Sequence, residues 1–302
     1  MAADRTHPPA SAAARLHRRH LLARTGTAAV ALLGAASPVA RAADAKDTAA
    51  AAATTTSAEL TAQTTEGPYF LDGMPLRADI TEGLPGVPLQ VVLRVVDARS
   101  QPLPGCRVDV WQCDATGLYS GFDDQGDDRK VGTAGRTFLR GAVLTGTDGV
   151  ASFRTLYPGW YAGRTTHIHF KVRVGQRAVL TSQFFLPDSL SEFLYTSMPT
   201  YQRALLRGVL NSTDGIALRA GRTVLGAVRE EADRYVASLD VVVDPAANPV
   251  VHRPPRPGEG PPPPGQRGPG GPPPGFGGQP PLPVPEGAAR IQALVPGPRP
   301  AR

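Results

Sequence analysis

The chain has 302 residues, 41% of them hydrophobic and 19% charged, a globular composition with room for one or two domains. Residues 1–42 hold six Arg against one acid and residues 248–302 six Arg against two, so the formal charge of +6 leaves the middle mildly acidic. A nucleic-acid footprint belongs on the folded surface, so nucleic acid is excluded as a partner, and the one long apolar stretch is too short and interrupted to be a membrane span.

The N-terminus has a basic region ending in Arg18-Arg19-His20-Leu21-Leu22, an apolar run from Thr25 to Ala36, and Ala40-Arg41-Ala42 as a small-residue cleavage pattern. That order predicts a signal peptide over residues 1–42. The paired arginines predict the twin-arginine route, and with it an exported, periplasmic or extracellular protein. Residues 43–60, mostly Ala and Thr, read as a spacer.

Residues 61–247 carry β patterning. Leu89–Val96, Arg107–Trp111, Gly141–Leu144, Val150–Phe153 and Val179–Phe185 are short, rich in branched and aromatic residues, and bounded by turns. Thr145-Gly146-Thr147-Asp148-Gly149 reads as a hairpin. Helical periodicity is confined to Leu190–Val209 and Leu225–Ala237. The residues leave an antiparallel sandwich or a barrel open. Cys106 and Cys113 fall within one apparent strand, which would hold them roughly 23 Å apart, beyond the ~7 Å a disulfide can span. Residues 248–302 contain 19 Pro and 11 Gly, and read as a disordered tail without helix or sheet.

Chemistry concentrates between Tyr157 and Phe170. Read as a strand, Ile168, Phe170, Val172 and Val174 form one apolar face, while His167, His169, Lys171 and Arg173 form the other, away from the core. Two imidazoles two residues apart on one face can close on a single metal ion. Past the predicted leader the chain has one further histidine, His252, in the tail, and no Cys pair or H-E-x-x-H pattern to complete a zinc site. Carboxylates or phenolates are left to complete it; Tyr119 and Tyr161 are candidates, and phenolates favour ferric iron. Asp123-Asp124-Gln125-Gly126-Asp127-Asp128 lacks the spacing of a calcium loop and reads as a solvated loop near the site entrance.

Val110-Trp111-Gln112-Cys113-Asp114-Ala115-Thr116-Gly117-Leu118-Tyr119-Ser120, Pro158-Gly159-Trp160-Tyr161 and Arg164-x-x-His167-Ile168-His169-Phe170 together resemble the intradiol ring-cleavage dioxygenases. Thr65-Glu66-Gly67-Pro68-Tyr69-Phe70 and Thr181-Ser182-Gln183-Phe184-Phe185 extend the resemblance over most of residues 64–187. It implies an all-β fold, an antiparallel β-sandwich with minor helices, and one non-haem Fe(III) bound by Tyr119, Tyr161, His167 and His169. It further implies that Tyr161 is the ligand that leaves when substrate binds and that Arg164 lies near the bound catecholate. Gln183 would be a polar residue beside the site, and Tyr69 would line the pocket. The implied substrates are a small aromatic diol and dioxygen, and the implied product is a cis,cis-muconate-type diacid.

Two departures bear on the substrate. Only five residues separate Tyr161 from His167, which predicts a shorter pocket wall than in enzymes acting on protocatechuate. The helical dimerisation region of the catechol 1,2-dioxygenases has no counterpart, and the chain is closer to an exported single-chain branch, with a homodimer left open. Two other readings stay open: a secreted binding module that kept the scaffold without the activity, and copper or zinc at the same H-x-H pair. Retention of all four candidate ligands with Arg164 and Gln183 argues against the first, and colour separates ferric phenolate from zinc.

Overall fold

A computed structural model describes residues 57–251. The expected signal peptide, the spacer up to residue 56, and the tail from His252 lie outside the described residues.

The chain runs through β1 (Pro88–Val96), β2 (Arg107–Trp111), β3 (Arg140–Leu144), β4 (Val150–Leu156), β5 (His167–Val174), β6 (Arg177–Phe185), α1 (Asp188–Ser197), α2 (Gly215–Ala220), β7 (Ala227–Glu230) and β8 (Tyr235–Val242). One sheet has the order β4-β1-β8-β7 and the other β3-β2-β5-β6. The fold is the expected all-β sandwich with minor helices. All strand pairs are antiparallel except β1–β8, which is parallel.

The sheets form because strict alternation gives each strand one apolar side to bury. Leu89, Val91, Leu93 and Val95 of β1, Val108 and Val110 of β2, Phe153 of β4, Ile168, Phe170 and Val172 of β5, and Ala237, Leu239 and Val241 of β8 share one core. No helix among the described residues is long and apolar enough to cross a membrane.

Several expectations are corrected. Residues 145–149 are a turn but not a hairpin, because β3 and β4 belong to different sheets and the turn carries the chain across the sandwich. The helix expected over Leu190–Val209 ends at Ser197, because Pro199 cannot continue it and holds Met198 extended. The helix expected over Leu225–Ala237 is instead β7, a turn, and the start of β8. Pairing of β8 with β1 and burial of Ala237, Leu239 and Val241 outweigh the local helical preference.

The polar face of β5 does point away from the main core, yet His167, His169 and Lys171 are buried. The segment before β1 and the long loop after β2 fold over this outer face. They bring Tyr69, Phe70, Met74, Trp111, Cys113, Tyr119 and Phe122 into a second apolar cluster. Lys171 can sit beneath it because its ammonium donates to Glu66 at 2.8 Å and lies 3.6 Å from the Phe70 ring centre. Cys106 and Cys113 are buried free thiols, and burial pushes both up in pKa.

Candidate metal centre

The register of the outer sheet builds one wall of the site. Trp111 of β2, His169 of β5 and Gln183 of β6 are paired across neighbouring strands, so their side chains stand in one row. Trp111 stacks on the His169 imidazole, centroids 4.9 Å apart and planes 11° apart. Gly67 lies close to the same ring: with φ +75 it takes a backbone that disfavours a side chain, and a Cβ there would meet His169 Cε1 at 3.1 Å. Replacing Gly67 with Ala is expected to cost about 1–2 kcal/mol and to displace His169. Thermal melting and metal stoichiometry together check this.

His167 is held differently. Its Nδ1 lies 2.6 Å from the Thr165 carbonyl, which can only accept, so Nδ1 carries the proton and Nε2 presents its lone pair. The Nε2 atoms of His167 and His169 are 3.1 Å apart, and Tyr161 Oη is 3.0 Å from His167 Nε2. Burial, followed by the Arg164 cation, lowers the pKa of His167 to about 3; burial and then His167 itself hold His169 well below its usual value. Both rings are therefore neutral donors.

The two tyrosines come from loops. Tyr119 lies in the loop after β2, and Tyr161 lies in the loop between β4 and β5. The loops are locked by a close approach at Gly159, whose N–H donates to Asp114 at 2.9 Å and where any Cβ would collide with the Ala115 carbonyl. Tyr195 of α1 braces the second loop, donating to Pro158 O at 2.9 Å and meeting Thr166 Oγ1 at 2.7 Å. Burial raises the pKa of both phenols. The Tyr119 hydroxyl faces Tyr161 at the site but makes no hydrogen bond of acceptable geometry. Tyr69 stacks on Tyr119 with centroids 4.4 Å apart.

Arg164 is buried beside these groups. Its Nε donates to Asp214 Oδ2 at 2.8 Å and its Nη2 to Gln183 Oε1 at 2.5 Å, while Gln183 Nε2 donates to Thr65 O at 3.1 Å. Burial works against the charge of Arg164, and Asp214 together with the Tyr161 and Tyr119 phenols more than offsets it. Asp214 also caps α2, accepting from the backbone N–H of Ile216 and Ala217. The acidic loop over 123–128 is largely exposed and is tied to the Tyr161 turn by Arg203, which bonds both Asp127 and the Trp160 carbonyl.

A family model described as Dioxygenase matches residues 65–198, a span that takes in every one of these groups except Asp214 and Arg203. Among solved structures, the chain is similar to an intradiol ring-cleavage dioxygenase from Tetranychus urticae at 30% identity, covering 63% of this chain and 97% of that one with a TM-score of 0.57. The chain belongs to the intradiol ring-cleavage dioxygenases. A second solved dioxygenase is similar at 30% identity, with 97% of it covered and a TM-score of 0.58. Curated relatives include catechol 1,2-dioxygenase 1 of Acinetobacter lwoffii, 29% identical over 52% of this chain and 56% of that protein. Another is hydroxyquinol 1,2-dioxygenase of Nocardioides simplex, 32% identical over 44% and 50%. The chain spans about half the length of these curated relatives.

For an intradiol dioxygenase the donor set has a consistent chemistry. Two imidazole Nε2 atoms and a phenol oxygen converge within hydrogen-bond distance, and a second buried phenol lies beside them without a hydrogen bond. Among the described residues no group of three His, Cys, Asp or Glu gathers elsewhere. A hard cation binding phenolate and imidazole fits these donors; a thiolate-selecting soft metal does not. Sequence reasoning missed Asp214, Thr165, Trp111 and Gly67 as supports. Asp214 gives no local signal, because its partner Arg164 lies 50 residues away.

Proposed function

We propose that the chain is a non-haem ferric dioxygenase that opens a catechol-type ring between its two hydroxyls, with Tyr119, Tyr161, His167 and His169 as the metal ligands. The observation that carries this reading is the convergence of Tyr161 Oη, His167 Nε2 and His169 Nε2 at 3.0 and 3.1 Å beside the orphaned Tyr119 hydroxyl. The names of the curated relatives support a simple aromatic 1,2-diol as substrate. When bound, ferric iron would supply an electron-poor centre for both diol oxygens and draw density from the ring.

The protein's own groups set the conditions. Thr165 fixes the tautomer of His167 and so aims its Nε2 lone pair before any ligand arrives, while Trp111 and Gly67 hold the plane of the His169 ring. Burial excludes water from the donors and strengthens each charge interaction among them. Arg164 brings a fixed cation to Tyr161, where negative charge on a bound diol's oxygen is stabilised; Asp214 and Gln183 keep its guanidinium in place. Tyr69 forms an aromatic wall against Tyr119.

The test is to purify the protein, determine its metal and screen catechol, hydroxyquinol and protocatechuate for dioxygen uptake. One iron per chain, visible colour and uptake with at least one diol are expected. Iron and colour with no uptake on any diol would leave a binding module, and a colourless zinc protein would overturn the metal assignment.

A further inference from the structure

Arg140 opens β3 and is 2% exposed. Its Nη1 donates to Tyr69 O at 2.5 Å, its Nη2 to Ser120 O at 2.8 Å, and its Nε to Ser120 Oγ at 2.8 Å. Every one of these acceptors is uncharged. The guanidinium lies 5.9 Å from the Tyr119 ring centre and 5.5 Å from that of Phe122. The two other buried cations have carboxylates at 2.8 Å, Arg164 on Asp214 and Lys171 on Glu66. Among the described residues Arg140 has none.

A buried charge without a counterion is costly, and removing the charge would be the ordinary remedy. The chain adds a second cost next to it. Leu139, fully buried, has φ +55, a left-handed backbone that is an outlier for a bulky residue. This conformation sits between Leu139 N–H, which donates to Ile80 O at 2.7 Å, and the start of the strand, and it precedes the residue sent under Tyr119. Strain persisting beside an uncompensated charge marks a functional position.

We propose that Arg140 balances the Tyr119 phenolate of the loaded centre and so sets how strongly that phenolate donates electrons to the metal. The proposal rests on the ferric tyrosinate reading above. A fixed cation beside the Tyr119 ring in a dry, low-dielectric site lowers the energy of the phenolate's electrons. Phenolate-to-iron charge transfer then requires more energy, and the visible band moves to shorter wavelength. Arg140 is thus a positioning residue, acting through Tyr119.

The experiment compares the visible spectra of iron-loaded wild type, Arg140→Met, Arg140→Lys and Ser120→Asp at equal iron content. Arg140→Met removes the charge, and its band is expected at longer wavelength by tens of nanometres. Arg140→Lys keeps the charge and should fall closer to wild type. If Arg140→Met does not fold, Ser120→Asp decides: it leaves the guanidinium in place but gives it a carboxylate, and must shift the band in the same direction. A band unmoved in either folded, iron-loaded variant overturns the role of Arg140 alone. Iron-loaded wild type without a visible band would instead overturn the tyrosinate reading beneath it.

Discussion

Changing His169 to Ala is expected to give a folded protein that no longer retains iron. The imidazole contributes one of two nitrogen donors and packs against Trp111 and Gly67, neither of which can supply a donor in its place. Loss of a supporting group around a metal ligand commonly costs roughly 10–100-fold in affinity, and loss of the ligand itself should exceed that. His167→Ala should behave alike. Competition with a chelator, followed by visible absorbance, measures retention, and near-UV circular dichroism reports whether the aromatic cluster survives. If both variants hold iron and colour as wild type does, the donor assignment is wrong.

Arg164→Ala is expected to keep the iron and the colour while lowering kcat by about 100- to 1,000-fold, the usual scale for losing one preorganised group that stabilises developing charge. It should also lose stability, by roughly 3–5 kcal/mol, because Asp214 is left as a buried carboxylate without its partner. Arg164→Lys separates the two effects. It preserves a charge for Asp214 but cannot also reach Gln183 with a second arm of a planar fork, so stability should recover more than turnover. Steady-state dioxygen uptake and thermal melting on the same preparations test both parts. Colour lost in Arg164→Ala and kept in His167→Ala would exchange the roles assigned here.

The strands of the sandwich and the H-x-H pair were legible because alternation is a local property: Leu89, Val91, Leu93 and Val95 declare their burial without reference to any other segment. The same rule misjudged what covers the outer face of β5. Alternation separates His169 from Phe170, but says nothing about a loop after β2 and a segment before β1 folding over the polar side, which is a matter of tertiary packing. The parallel strand β8 was hidden for a related reason. Tyr235–Val242 gains its conformation from β1, about 140 residues earlier in the chain, whereas the Glu- and Arg-rich stretch before it satisfies a helical pattern by itself. In the site, the donors stood in recognisable motifs, while the groups that aim them did not. Asp214 and Arg140 act through bonds to partners that only the fold brings near.

The position of β8 also orders the events of synthesis. The last strand among the described residues lies between β1 and β7, not at an edge, so β1 offers an unpaired side until residue 242 has left the ribosome. The segment that carries Gly67 and Tyr69 to the site starts from this strand as well: Thr61 N–H donates to Val242 O at 2.9 Å, and Val242 N–H returns a bond to Thr61 Oγ1 at 2.9 Å. One of the earliest described pieces of the chain thus waits on one of the latest. A nascent polypeptide halted before Tyr235 would hold every proposed iron donor in its sequence, yet lack the strand on which the segment closing over His169 is anchored.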